Sequence, residues 1–144
     1  NLYLNDWKVD FKPGELRAIG YIKGKQVVTS KLLTTQAASK LQIEPLPIPL
    51  ESDILMFEIT VTDKAGLKVV DEMAAITVNI EGEGKLIGLD NGELDYTGSI
   101  KTNTRNSNLG RLLVTVKKIS PATKGNIRII ATSPGFSTAI LQIK

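Results

Sequence analysis

The chain has 144 residues, of which 42% are apolar and 23% charged, with a net charge of +3 and neither cysteine nor histidine. It is long enough to bury roughly two-thirds of its unfolded surface around one core. Disulfides, zinc sites built on Cys or His, thiol nucleophiles and Ser-His-Asp triads are all excluded within it, and no apolar run is long enough for a membrane-spanning helix.

The β-formers Val, Ile, Thr, Tyr, Phe and Trp together outnumber alanine five to one, 45 residues against 9. Side chains branched at the β-carbon suit a pleated surface, so the expectation is an all-β chain with no helix longer than a turn. Residues 2–11 alternate apolar and polar, with Tyr3, Trp7, Val9 and Phe11 on one phase, and read as a first strand. Pro13-Gly14 turns the chain. Strands over 15–22 and 25–35 follow, joined by the hairpin turn Lys23-Gly24, which makes a three-strand antiparallel unit.

Gln36 to Lys40 is a short polar joint. Leu41 to Glu44 then begins a new strand that runs into Pro45, Pro47 and Pro49. Alternate prolines remove every second ladder donor, so this strand belongs at an edge or at a switch between sheets. Phe57, Ile59 and Val61 give the clearest period-two signal, and Asp63 to Gly66 turns the chain. Further strands are expected over 75–81, 85–89, 112–119, 126–133 and 138–143. Between them lie the Gly82-Glu83-Gly84 break, a long polar stretch over 90–110, the turn from Ser120 to Gly125, and Pro134-Gly135. Short strands at this spacing predict an immunoglobulin-like sandwich over 41–144, with 1–36 as the C-terminal strands of an upstream domain of the same kind.

Residues 1–40 carry seven Lys/Arg against three Asp/Glu. Lys8, Lys12, Lys23, Lys25 and Lys31 are scattered among strands and turns without a contiguous basic run or a stacking set of aromatics. That is a solvated face, so no nucleic-acid partner is expected. The chain reads as a piece of a longer protein.

The run Trp7-Lys8-Val9-Asp10-Phe11-Lys12-Pro13-Gly14-Glu15-Leu16-Arg17-Ala18-Ile19-Gly20-Tyr21, followed by Lys23-Gly24-Lys25, resembles the small sandwich domain after the catalytic barrel in bacterial β-galactosidase-like enzymes of glycoside hydrolase family 2. Thr60 to Gly66, Val78 to Gly92 and Ile127 to Phe136 resemble the last domain of those enzymes, an immunoglobulin-like sandwich. The resemblance implies a β-galactosidase-like parent hydrolase, periplasmic or at the cell surface. The chain would be its non-catalytic accessory domain, partnered with the barrel of the same polypeptide. It carries over no catalytic residue and implies no cofactor. A carbohydrate-binding module and an adhesin or surface-stalk domain are the competing readings.

Within the chain, Asp90, Glu93 and Asp95 cluster in sequence, but glycoside hydrolysis needs two carboxylates about 5–9.5 Å apart across a cleft. Asp90-Asn91-Gly92 reads as a turn. Asp90, Asn91, Glu93 and Asp95 also offer hard oxygen ligands of the calcium type, at a spacing that fits no EF-hand. Gly82-Glu83-Gly84 reads as a bulge, because no helix follows it. Sugar binding would need an exposed aromatic, and Tyr96 is the only one in the long loop. The apolar face of residues 1–36, with Trp7 and Phe11, is expected to make a self-association contact.

Overall fold

Residues 6–49, 52–119 and 126–143 are described by the computed structural model. Residues 2–5 of the first expected strand, Tyr3 among them, lie outside these, as does the turn expected from Ser120 to Gly125. Two compact units divide the chain at Thr34–Thr35.

The first unit is a hairpin of β1 (Glu15–Ile22) and β2 (Lys25–Leu33), closed by Lys23-Gly24. Among the described residues, 6–12 run without strand pairing, so the described part of this unit holds two strands, and the part of the first expected strand over 6–11 is unpaired. Their alternation is real, but a strand exists only with a ladder partner. The register sets Leu16 opposite Leu32, Ala18 opposite Ser30 and Gly20 opposite Val28, which makes one face apolar. The other face carries Glu15, Arg17 and Lys31, with Glu15 paired to both cations. A two-stranded hairpin has no second layer to bury its apolar face, and Leu16, Val28 and Leu32 are all exposed.

The second unit is a sandwich of eight strands among the described residues. One sheet has the order β3 (Lys40–Pro45), β4 (Ile54–Thr62), β8 (Arg111–Lys118), β6 (Gly84–Asp90). The other has the order β10 (Ala139–Ile143), β9 (Ile127–Thr132), β5 (Ala75–Gly82), β7 (Thr104–Asn106). Alternation along β4 turns Leu55, Phe57, Ile59 and Val61 inward. They meet Leu112, Val114 and Val116 of β8 across the ladder, and Ile76, Val78, Ile127, Ile129 and Ala131 from the facing sheet. Each such side chain contributes about 1.5–3 kcal/mol on burial.

β3 lies at its sheet's edge and ends at Pro45. Its first residue also bridges Ser137, just before β10, in the parallel sense. Gly82-Glu83-Gly84 is not a bulge within one strand: it carries the chain across from the second sheet to the first. The register irregularity falls later, between Leu86 and Gly88. β7, a three-residue strand inside the polar stretch, has no counterpart in the sequence reading.

The β7–β8 connection is tight. Asn108 and Arg111 exchange backbone hydrogen bonds around Leu109 (φ 49°) and Gly110 (φ 68°). Two positive φ values in a two-residue loop are the type I′ arrangement, which favours Asn-Gly. A leucine in the left-handed region costs about 1–2 kcal/mol.

Candidate functional site

The long segment between β6 and β7 is organised around Arg105 in the centre of β7. This side chain is 6% exposed. One terminal nitrogen donates to the Leu89 carbonyl at 3.2 Å and the other to Asn91 Oδ1 at 2.8 Å. The guanidinium carbon stands 3.6 Å from the centroid of the Tyr96 ring. The cation is thus balanced by two oxygens and a π face, a desolvated form of the cation–π contact. Its Nε has no hydrogen-bond partner. Asn91 completes the tie by donating to the Asn106 carbonyl at 3.0 Å and accepting from the Glu93 amide at 3.1 Å.

Tyr96 is also met by Gly98. A β-carbon built on Gly98 would lie 2.5 Å from Tyr96 Oη, 2.6 Å from Cζ and 3.1 Å from Cε1. These distances put Gly98 over the ring near its hydroxyl end, because an in-plane point that near Oη and Cζ would be closer still to a Cε. Tyr96 Oη donates to the Ser99 carbonyl at 3.3 Å. Tyr96 remains 39% exposed, with Arg105 stacked on its ring. Gly98 is glycine because a side chain would occupy the space of the ring.

The four oxygen-bearing residues read as a possible calcium set do not converge. Asn91 Oδ1 faces the Arg105 guanidinium, whose charge opposes a cation at that oxygen. Asp90 Oδ1 accepts from the Gly92 amide at 2.9 Å, an Asx turn. Among the described residues no three acidic side chains are grouped to hold a metal ion. Glu93 and Asp95 lie on the exposed loop beside Leu94. In the first unit, Trp7 and Phe11 are 72% and 79% exposed. Trp7, Val9, Leu16, Arg17, Ala18 and Ile19 line an open groove of about 380 Å³.

Sequence reading missed two residues that matter. Arg105 sits in a polar run with no apolar periodicity to mark it as interior. Asp63, read only as a turn residue, is 1% exposed and accepts the amides of Gln36 at 3.0 Å, Ala65 at 2.9 Å and Leu67 at 2.9 Å. It therefore fixes both the β4 turn and the start of the second unit. Its carboxyl is held below the ordinary 3.8, first by the Gln36 amide and further by those of Leu67, Ala65 and Gly66, with burial opposing. A lowered folded pKa means the unfolded chain takes up the proton first as pH falls. This stabilisation is present above the unfolded value and is lost as pH drops through the folded one. The stability gap between wild type and Asp63→Asn, measured by urea denaturation, is expected to narrow below about pH 4. A gap constant through that range would show that the Asp63 charge contributes nothing.

A family described as glycoside hydrolase family 2 C-terminal domain 5 matches residues 50–142. A second, described as a domain of unknown function, DUF4982, matches residues 2–28. A β-galactosidase of Bacteroides ovatus, BoGH2A, is 26% identical over 140 residues, 95% of this chain and 16% of that protein. The chain therefore spans about a sixth of that relative's length. In solved structures, the fold matches a family 2 glycosyl hydrolase of Bacteroides cellulosilyticus with a TM-score of 0.83 at 22% identity, covering 96% of this chain and 19% of that one. A β-glucuronidase of Parabacteroides merdae matches with a TM-score of 0.62 at 24% identity, covering 96% and 17%.

Proposed function

Because the chain belongs to the glycoside hydrolase family 2 C-terminal domain 5 family, we propose that it is the non-catalytic C-terminal module of a β-galactosidase-like hydrolase. The observation that carries this reading is the coverage: nearly all of this chain aligns with only 16% of a β-galactosidase. The module is architectural. Its loop aromatic stacks on Arg105 beside Gly98, its acidic residues form turns, and the same fold recurs in a protein named a β-glucuronidase. A module worn by enzymes for different sugars is poorly suited to choosing the sugar, so substrate choice belongs to the barrel. A periplasmic or cell-surface location for the parent goes with this proposal.

The hairpin of β1 and β2 is proposed to be the last strand pair of an upstream immunoglobulin-like domain. Its bare apolar face and the separate family match over 2–28 support this. In the isolated chain the same face is proposed to pair with a second copy, with Trp7 and Phe11 in the contact.

One experiment tests these points together. The 144-residue chain and the longer parent polypeptide are assayed on chromogenic β-galactosides and β-glucuronides after light scattering. The chain alone is expected to give no turnover and to run as a dimer, which Trp7→Ala shifts toward monomer. The parent is expected to hydrolyse one of the two substrates. Turnover by the chain, or a parent inert on every β-glycoside tried, overturns the accessory reading; a strict monomer at high concentration overturns the contact.

A further inference from the structure

Of the eight asparagines in the chain, only Asn91 precedes a glycine. An asparagine side-chain amide is open to attack by the main-chain nitrogen of the next residue, and a following glycine obstructs that attack least. Gly92 is exposed, with nothing within 4 Å of where a β-carbon would stand. The step needs only solvent water. The Gly92 nitrogen gives up its proton and bonds to Asn91 Cγ. The Cγ–Nδ2 bond breaks, and ammonia leaves with that proton. Water then opens the cyclic imide at either carbonyl, which yields aspartate or isoaspartate at position 91.

In the folded chain the polar atoms that this step uses are all engaged. The Gly92 amide donates to Asp90 Oδ1 at 2.9 Å. Asn91 Oδ1 accepts from the Arg105 guanidinium at 2.8 Å and from the Glu93 amide at 3.1 Å, and Nδ2 donates to the Asn106 carbonyl at 3.0 Å. Baring the Gly92 nitrogen would set an anion beside the Asp90 carboxylate, which like charge opposes. Swinging Cγ over that nitrogen would break the side chain's three bonds. Arg105 also has an opposite capacity, since its charge favours the oxyanion formed on attack. The clamp outweighs it: Arg105 is pinned by the Leu89 carbonyl and the Tyr96 ring and does not follow Asn91 into the attacking geometry. We propose that Asn91 is a latent deamidation site, held closed by Arg105, whose conversion unlocks residues 91–103 irreversibly. Either product lacks Nδ2 and so loses the Asn106 bond. The isoaspartyl product also adds a methylene to the main chain beside Gly92 and draws the acceptor away from Arg105.

The tryptic peptide from Leu86 to Lys101 holds Asn91 as its only side-chain amide, so its mass reports conversion at this residue alone. The 144-residue chain is incubated in mildly alkaline buffer, native and unfolded in guanidinium chloride, and the peptide is followed by mass spectrometry. Conversion is expected to run about tenfold faster in the unfolded chain, the factor that about 1.4 kcal/mol of clamping supplies. Arg105→Ala in native buffer is expected to quicken it by a similar factor. Gly92→Ala is expected to slow it in denaturant, where no clamp operates. Wild-type chain already converted, separated by ion exchange, is expected to be cut sooner by protease within residues 91–103. Equal rates in native and unfolded wild type overturn the clamp, whether or not Arg105→Ala folds. Slower conversion in a folded Arg105→Ala overturns it as well, because the guanidinium would then promote the attack. A converted chain as protease-resistant as the unconverted one overturns the unlocking.

Discussion

Gly110→Ala is expected to cost the sandwich about 3 kcal/mol, from left-handed strain and a backbone collision together. Gly110 has φ 68°, and a β-carbon there would sit 2.2 Å from the Val69 carbonyl oxygen and 3.1 Å from its carbon. Both obstacles are backbone, so no rotamer change relieves them. Moving Val69 would break its amide's bond to the Val61 carbonyl, and moving Gly110 would break the bond from the Val61 amide to its own carbonyl. Gly92→Ala is the control. Gly92 has φ 75° with nothing within 4 Å of the added carbon, so it isolates the conformational part, about 1–2 kcal/mol. Urea denaturation of both variants separates the two contributions. Equal losses would mean that the Val69 contact yields freely.

Arg105→Ala is expected to cost about 2–4 kcal/mol, because it removes a buried cation and leaves its partners behind. The Leu89 carbonyl and Asn91 Oδ1 lose charge-assisted donors, and Tyr96 loses the support of one face. Arg105→Lys retains the charge but lacks the planar fork that reaches two acceptors and stacks on a ring. It is expected to recover less than half of the loss. Protease cleavage within residues 91–103 should quicken in both variants, more in the alanine one. A loss under about 1 kcal/mol for the alanine variant would show that the loop is held by other contacts.

These two positions mark where the sequence stops being readable. The strands that build the core announce themselves, because Phe57-Ile59-Val61 and Leu112-Val114-Val116 are buried on one side and their period is two. Pro45 limited β3 to an edge or a switch between sheets, and the structure places it at the edge. Tyr96 drew notice as the lone aromatic of its loop, yet its role depends on Arg105 and Gly98, which no spacing connects to it. Arg105 itself looks like a surface residue until the Leu89 carbonyl and the ring are in place. The unpaired run over 6–12 has the pattern of a strand because pattern records which side chains prefer burial, and pairing depends on a neighbouring chain segment.

The parallel bridge between Lys40 and Ser137 sets the first and last strands of the sandwich beside each other at the opposite margins of its two sheets, running in the same direction, with the Ser137 amide donating to the Ser39 carbonyl. A force drawing residue 35 and residue 143 apart would act along both strands and nearly perpendicular to the bond between them. That bond would be loaded in shear. A module tethered through both termini would resist extension until this seam slid, and the sheets behind it would stay intact up to that point.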